Sequence, residues 1–241
     1  VNFKSFLSVL FATKRAAKEA LSEIQKLPFV DYAYMEPEYS PAVLEEENDN
    51  EAIDRQEIAD FTGQQKYLED AEHGIYARYA WTIPGGKGDN VEITDIEFGW
   101  DVKHKDLNVP NIKQLSGSPF TMFYTDHGTA VLGELISRNN GFGTTGIVPN
   151  AKANIAQWTL TSFPQTADTI ITAAMKMKGR GIVLLEMHAP GPEHKGKGQQ
   201  GFLPVEYWQA NFEAIKAVVQ IGTVVVEAAG NGAVNLDNPI Y

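Results

Sequence analysis

From residue 91 onward, strand-like runs alternate with stretches of helical periodicity, and this alternation restricts the fold more than any other feature of the chain. Val91–Ile96, Ala153–Leu160, Ile182–Leu185 and Thr223–Val226 have strand length, and the last two are continuously apolar or nearly so. Gly128–Ser137, Ala167–Lys178 and Tyr207–Gln220 fall between them with apolar residues at helical spacing. Apolar strands separated by helices predict an α/β fold, a parallel sheet sandwiched between helices. With 241 residues, 43% of them apolar, the chain is long enough to bury a full-sized core. There is no internal repeat.

Ahead of this block the organisation changes. Lys14 to Lys26 carries Ala17, Ala20, Leu21, Ile24 and Leu27 at helical spacing, with Thr13 as a cap and Pro28 as a stop. The aromatic run Phe29–Tyr34 then reads as a strand. A helix and a strand in forty residues are too little for a domain that stands alone. Next comes an acidic stretch. Residues 36–60 hold ten acidic residues and one base, Arg55, which accounts for most of the net charge of −11. Such a segment cannot bury enough apolar surface to order itself and reads as a solvated linker. The expected division is therefore a small unit over 1–43, an acidic linker over 44–60 and an α/β domain over 61–241.

Several function classes drop out. A chain this acidic is a poor partner for nucleic acid or an anionic membrane surface. It has no apolar run of eighteen residues to span a bilayer. It has no cysteine, which removes disulfide scaffolds, Cys-ligated zinc and thiol nucleophiles. His188 and His194 flank a Gly/Pro/Lys-rich loop without metal-ligand spacing, so no metal ligand is assigned. Gly85-Gly86-Lys87-Gly88 is too short for a phosphate loop and precedes a strand rather than a helix.

In parallel sheets, functional groups gather at the carboxyl ends of the strands. Three such places carry chemistry: Asp95-Ile96-Glu97-Phe98-Gly99, Asp126-His127-Gly128-Thr129 at a helix start, and Glu227-Ala228-Ala229-Gly230-Asn231-Gly232 after the most apolar strand. Singly they are weak signals, since strand-end carboxylates cap turns and Asn between glycines is an ordinary turn residue. Together they supply the parts of acyl transfer: a carboxylate to hold an imidazole, an imidazole to activate a hydroxyl, and an amide to stabilise an oxyanion.

The motifs resemble those of the subtilisin-like serine peptidases. Val91 to Leu107 (VEITDIEFGWDVKHKDL) resembles the family's first catalytic segment, with Asp101, His104, Asp106 and Leu107 fitting its tail. His127 to Gly133 (HGTAVLG) resembles the catalytic-histidine helix, Gly146 to Ala151 the stretch that follows it, and Val224 to Gly232 (VVVEAAGNG) the strand ending in the oxyanion Asn. The resemblance covers 61–241, and Leu27–Pro37 resembles the end of the family's pro-region. It implies a secreted endopeptidase acting on peptide or protein substrates, with Glu97, His127 and Asn231 as catalytic residues. It also implies a pro-region that partners its own catalytic domain, and no required cofactor, although calcium serves many of the family as a structural ion. Phe3–Phe11 lacks the flanks of a signal peptide, so that peptide is expected upstream of Val1.

The chain also departs from the family. Glu97 stands where an Asp is usual, and Asp95, two residues earlier on the same strand face, competes for the role. Where the family's substrate-binding strand carries Ser-Leu-Gly, this chain has Glu186-Met187-His188, the expected substrate-binding residues. Glu186 is read either as a selector of basic groups or as a buried structural carboxylate. No Ser or Thr follows Asn231, so the nucleophile is expected beyond Tyr241 and this chain alone is expected to be inactive. The competing reading is a non-catalytic relative that keeps the fold and binds peptides or partners.

Overall fold

A computed structural model describes residues 7–42, 59–107, 110, 112–117, 124–158 and 166–241. The acidic linker predicted over 44–60 lies almost wholly outside them. In chain order the elements are helix α1 (Lys14–Ile24), strand β1 (Ser40–Pro41), the short helix α2 (Ala77–Ala80) and strands β2 (Glu92–Glu97) and β3 (Ile112–Ser116). Helix α3 (Thr125–Ile136), β4 (Lys152–Gln157), α4 (Thr166–Lys176), β5 (Ile182–Leu185), β6 (Met187–Pro190) and β7 (Phe202–Pro204) follow. Helix α5 (Gln209–Gln220) and β8 (Val224–Glu227) complete the series.

Five strands form one parallel sheet in the order β3-β4-β2-β5-β8. From β2 the chain goes out to the edge strand β3, returns to β4 beside β2, then crosses to β5 and β8 on the other side. The carboxyl end of β2 is thus the point where the strand order reverses, the usual place for a ligand or a reaction in such sheets.

Alternation along the strands divides the core in two. Ile96, Ala156, Trp158, Val183 and Leu185 face α4 and α5, joining Ile170, Ala173, Ala174, Ala214 and Val218. Ile93, Ala153 and Ile155 face the other way and pack against Leu132 and Ile136 of α3 with Trp100 and Leu107. Glu97 follows Ile93 at even spacing and therefore shares the α3 face. That face is covered only in part. Ile182 and Leu184 pair in register with Val224 and Val226, and the two valines remain 55% and 48% exposed. A parallel sheet is ordinarily covered on both sides, and among the described residues nothing covers this apolar strip beside α3.

The predicted strands and helices over 91–226 appear with shifts of a few residues at their ends; Leu160 lies outside the described residues. The early segment differs more. Thr13 caps α1 as its sequence predicts, its Oγ1 accepting from the Ala16 amide at 3.1 Å. Phe29–Tyr34, however, does not form the expected strand. A strand needs a partner, and the aromatic side chains find other contacts instead. Tyr34 stacks on Tyr32, packs against the α4–α5 core, and its hydroxyl accepts from the Ala210 amide at 3.3 Å. The strand in this region is β1, six residues later. It pairs antiparallel with β6, which pairs with β7 in a second sheet of three strands. Tyr39, just before β1, is buried between Trp158 and Trp208, and its hydroxyl accepts from Asn211 Nδ2 at 2.7 Å.

Candidate active site

Glu97 is the last residue of β2, fully buried. His127 is the third residue of α3, and its Nδ1 meets Glu97 Oε1. Several contacts bring the two together. The Phe98 amide donates to Glu97 Oε2 at 3.2 Å, and Gln157 Nε2 donates to the Phe98 carbonyl at 2.9 Å, fixing the turn that leaves β2. The Asp101 amide donates to Thr129 Oγ1 at 2.8 Å, and that hydroxyl donates to the Thr125 carbonyl at 2.7 Å, tying the turn to the first turn of α3. Gly128 allows the approach. A Cβ there would lie 2.3 Å from the Gly99 carbonyl oxygen and 2.9 Å from the Trp100 indole.

The competing carboxylate, Asp95, goes elsewhere. It is fully buried behind the pair, and Trp100 Nε1 donates to its Oδ2 at 2.7 Å. Burial, then the neighbouring Glu97 charge, pushes the Asp95 carboxyl far above its ordinary range. Burial likewise raises Glu97 and lowers His127, while the charges of Glu186, Asp95 and Glu134 pull His127 the other way. Burial is the larger effect, so the imidazole rests neutral near pH 7, the form a general base needs.

His127 lies at one end of a cavity of about 480 Å³ lined by Ala130, Val131, Glu134 and Leu135 of α3 with Leu184 and Glu186 from the sheet. Leu184, which lines the cavity, also belongs to the apolar strip of β5 and β8. Glu186 is half-buried, its carboxyl raised first by burial and then by Glu134, with His127 opposing. Glu186 lines the cavity, and among the described residues it makes no hydrogen bond to a helix N-terminus. Met187 and His188 follow on β6, and their side chains are buried. Ser40 and Pro41 of β1 lie along the edge of β6, opposite His188 and Met187.

Asn231 lies in the loop after β8. Two strand spacings separate that strand from β2, on the order of 10 Å. Its backbone N–H donates to His188 Nδ1 at 3.2 Å and its side-chain Nδ2 to Gln199 Oε1 at 2.8 Å. Of the remaining motif residues, Asp106 is a buried clamp. It accepts from the Thr144 amide and hydroxyl at 2.7 and 2.9 Å and from Asn140 Nδ2 at 3.2 Å, holding the turn after α3. Among the described residues no cluster of His, Asp or Glu has the arrangement of a metal site, and no helix is long and apolar enough to cross a membrane.

Two participants were missed in the sequence. Glu134 is seven residues after His127, two helical turns along the same face, a spacing that could have revealed it. Gln199 sits in a Gly/Lys-rich loop with no periodicity and gave no signal.

No protein-family profile and no curated protein matches the chain. Among solved structures it is similar to a protease of Pseudoalteromonas arctica PAMC 21717, with a TM-score of 0.48 and 18% identity over 70% of this chain and 57% of that one. The chain therefore spans less than two thirds of that protein's length. What stands without any relative is the arrangement itself: a parallel α/β sheet with a buried carboxyl–imidazole pair at the carboxyl end of its central strand.

Proposed function

We propose that the chain carries the general-base and oxyanion-stabilising part of a subtilisin-like serine endopeptidase. The nucleophilic Ser would come from sequence outside these residues. The supporting observation is the Glu97–His127 pair at the end of β2, beside an apolar strip of the sheet that the described residues leave uncovered. In this reading Glu97 accepts from Nδ1–H, fixing the tautomer and leaving Nε2 as the base. His127 takes the proton of the Ser hydroxyl as it attacks the peptide carbonyl and later gives it to the leaving amine. A helix covering Leu184, Val224 and Val226 would bring that Ser to the cavity. The Asn231 amide would stabilise the tetrahedral oxyanion, a contribution of about 10²–10³ in kcat for such a donor. The substrate would lie as an extended strand on β6, with Glu186 at the cavity.

In the same reading residues 1–43 are a pro-region whose end, β1, lies on β6 before being cut away within 44–60, and the mature enzyme is extracellular. The test is expression of the longer reading frame, followed by labelling with a fluorophosphonate and assay on peptide substrates. Labelling abolished by His127→Ala supports the proposal. A Ser-free continuation, or activity indifferent to His127→Ala, sinks it and leaves the second reading, a peptide-binding relative without catalysis. The substitution of Glu186-Met187-His188 for the family's Ser-Leu-Gly favours that second reading.

A further inference from the structure

Gln199 makes two hydrogen bonds that run in opposite senses. Its Nε2 donates to the Pro41 carbonyl at 2.8 Å, and its Oε1 accepts from Asn231 Nδ2 at 2.8 Å. An amide turned end for end would set donor against donor and acceptor against acceptor, so the two partners together fix its orientation. Gln199 is thus oriented by the Pro41 carbonyl of β1, and in turn it holds the Asn231 side-chain amide. The supports are rigid. The Gly191 amide donates to the Gly201 carbonyl at 2.9 Å and the Gly201 amide to the Gly232 carbonyl at 2.8 Å, stitching the loop of Gln199 to the loop of Asn231. A Cβ on Gly232 would fall 1.9 Å from the Phe202 carbonyl oxygen, so no side chain fits there without moving the backbone. His188 holds the backbone N–H of Asn231, and Gln199 accepts from its side-chain amide.

We propose that Gln199 is a positioning residue that couples occupation of the β6 edge by an extended chain to the orientation of the Asn231 side-chain amide. The coupling requires a carbonyl acceptor at the place held by Pro41, so it reads main chain, not side chain. The catalytic meaning of that coupling rests on the reading of Asn231 as an oxyanion donor; the coupling itself does not.

The experiment measures exchange of the Asn231 side-chain amide protons with water by NMR on the whole 241-residue chain. The edge is emptied by Tyr39→Ala, which removes the anchor between Trp158 and Trp208. Ser40→Pro, which removes a main-chain donor from β1 and leaves that anchor in place, serves if the first variant fails to fold. Loss of exchange protection at the His188 backbone amide reports that the edge is empty. Expected is exchange at Asn231 faster by about fivefold or more, the scale of one neutral hydrogen bond. Gln199→Leu gives the same acceleration with the edge still filled. Gln199→Glu keeps the acceptor but not the donor, so exchange stays slow whether the edge is filled or empty. An emptied edge with unchanged exchange at Asn231, or Gln199→Leu without effect, overturns the proposal. None of these readouts needs peptidase activity, so a failed peptidase assay and a failed coupling are separate results.

Discussion

Asp95 and Glu97 leave the same face of β2 two residues apart, both buried, and only Glu97 reaches His127 while Asp95 is bound by the Trp100 indole. Two carboxylates this close and this dry are not both comfortable as anions. They divide the work: Glu97 holds an imidazole, and Asp95 holds the ring that lies against Gly128 at the start of α3. The second carboxyl is thus part of what aims the helix that carries His127.

This division predicts unequal costs at Asp95 and Trp100. Trp100→Phe keeps most of the packing but removes the donor to Asp95 Oδ2, and a buried polar group left alone costs about 1–3 kcal/mol. Asp95→Asn keeps an acceptor oxygen and discards a carboxyl that burial already holds far above its ordinary range, so its cost is smaller. Urea unfolding at neutral pH gives both numbers. The reverse order would mean that Asp95 is needed as an anion.

Glu97→Gln should lower the affinity of His127 for a proton, because an amide cannot stabilise imidazolium as a carboxylate does. The ring resonances of His127 should therefore titrate at lower pH in the variant than in the parent. In a longer chain that bears the nucleophile, kcat should fall by about 10⁴, the scale known for this kind of change in a triad. An unchanged His127 titration would show that Glu97 is neutral in the resting site.

Gly128→Ala tests the contact between α3 and the turn after β2. The added methyl meets the Gly99 carbonyl oxygen and the Trp100 ring, and neither is the end of a flexible side chain. Overpacking of this kind costs about 1–3 kcal/mol, measured by thermal unfolding. The same shift should break the Glu97–His127 contact. A variant as stable as the parent, with the His127 titration unmoved, would mean that the helix accommodates the methyl by sliding.

The sheet was legible because apolar strands alternating with helices leave few other arrangements, and its strand ends drew attention to Glu97, His127 and Asn231. The face and chemistry of the two carboxylates did not separate them, and only the resemblance put Glu97 in the role. Asp95 and Glu97 have the same face and the same chemistry, and the outcome depends on where α3 and Trp100 dock. Phe29–Tyr34 misled for a related reason: aromatic residues favour a strand only where a partner edge exists, and here the edge of β6 is taken by Ser40 and Pro41. Gln199 was invisible because its role is a pair of hydrogen bonds that span 32 residues on one side and 158 on the other.

His188 makes the β6 region sensitive to acid. The ring is fully buried over Phe202, and burial lowers its proton affinity from an ordinary value of 6.5 to about 4, with the Pro41 main chain opposing. Above 6.5 neither the folded nor the unfolded chain protonates it, and its contribution to stability is fully present. As the pH falls, the unfolded chain takes up the proton first, and stability is lost progressively until the folded ring also titrates near 4. The whole loss is on the order of 3 kcal/mol. Denaturant unfolding between about pH 7 and pH 4 should therefore show a falling stability that His188→Gln flattens, since the amide oxygen can still accept from the Asn231 backbone but cannot be protonated. The comparison between the two proteins matters more than either curve alone. Glu227 is raised to about 7, chiefly by burial, and contributes with the opposite sign in the same range, but it is common to both. Parallel curves for the parent and His188→Gln would show that the folded ring takes up a proton as readily as the unfolded one, so that burial does not hold it neutral as an acceptor for Asn231 over this range.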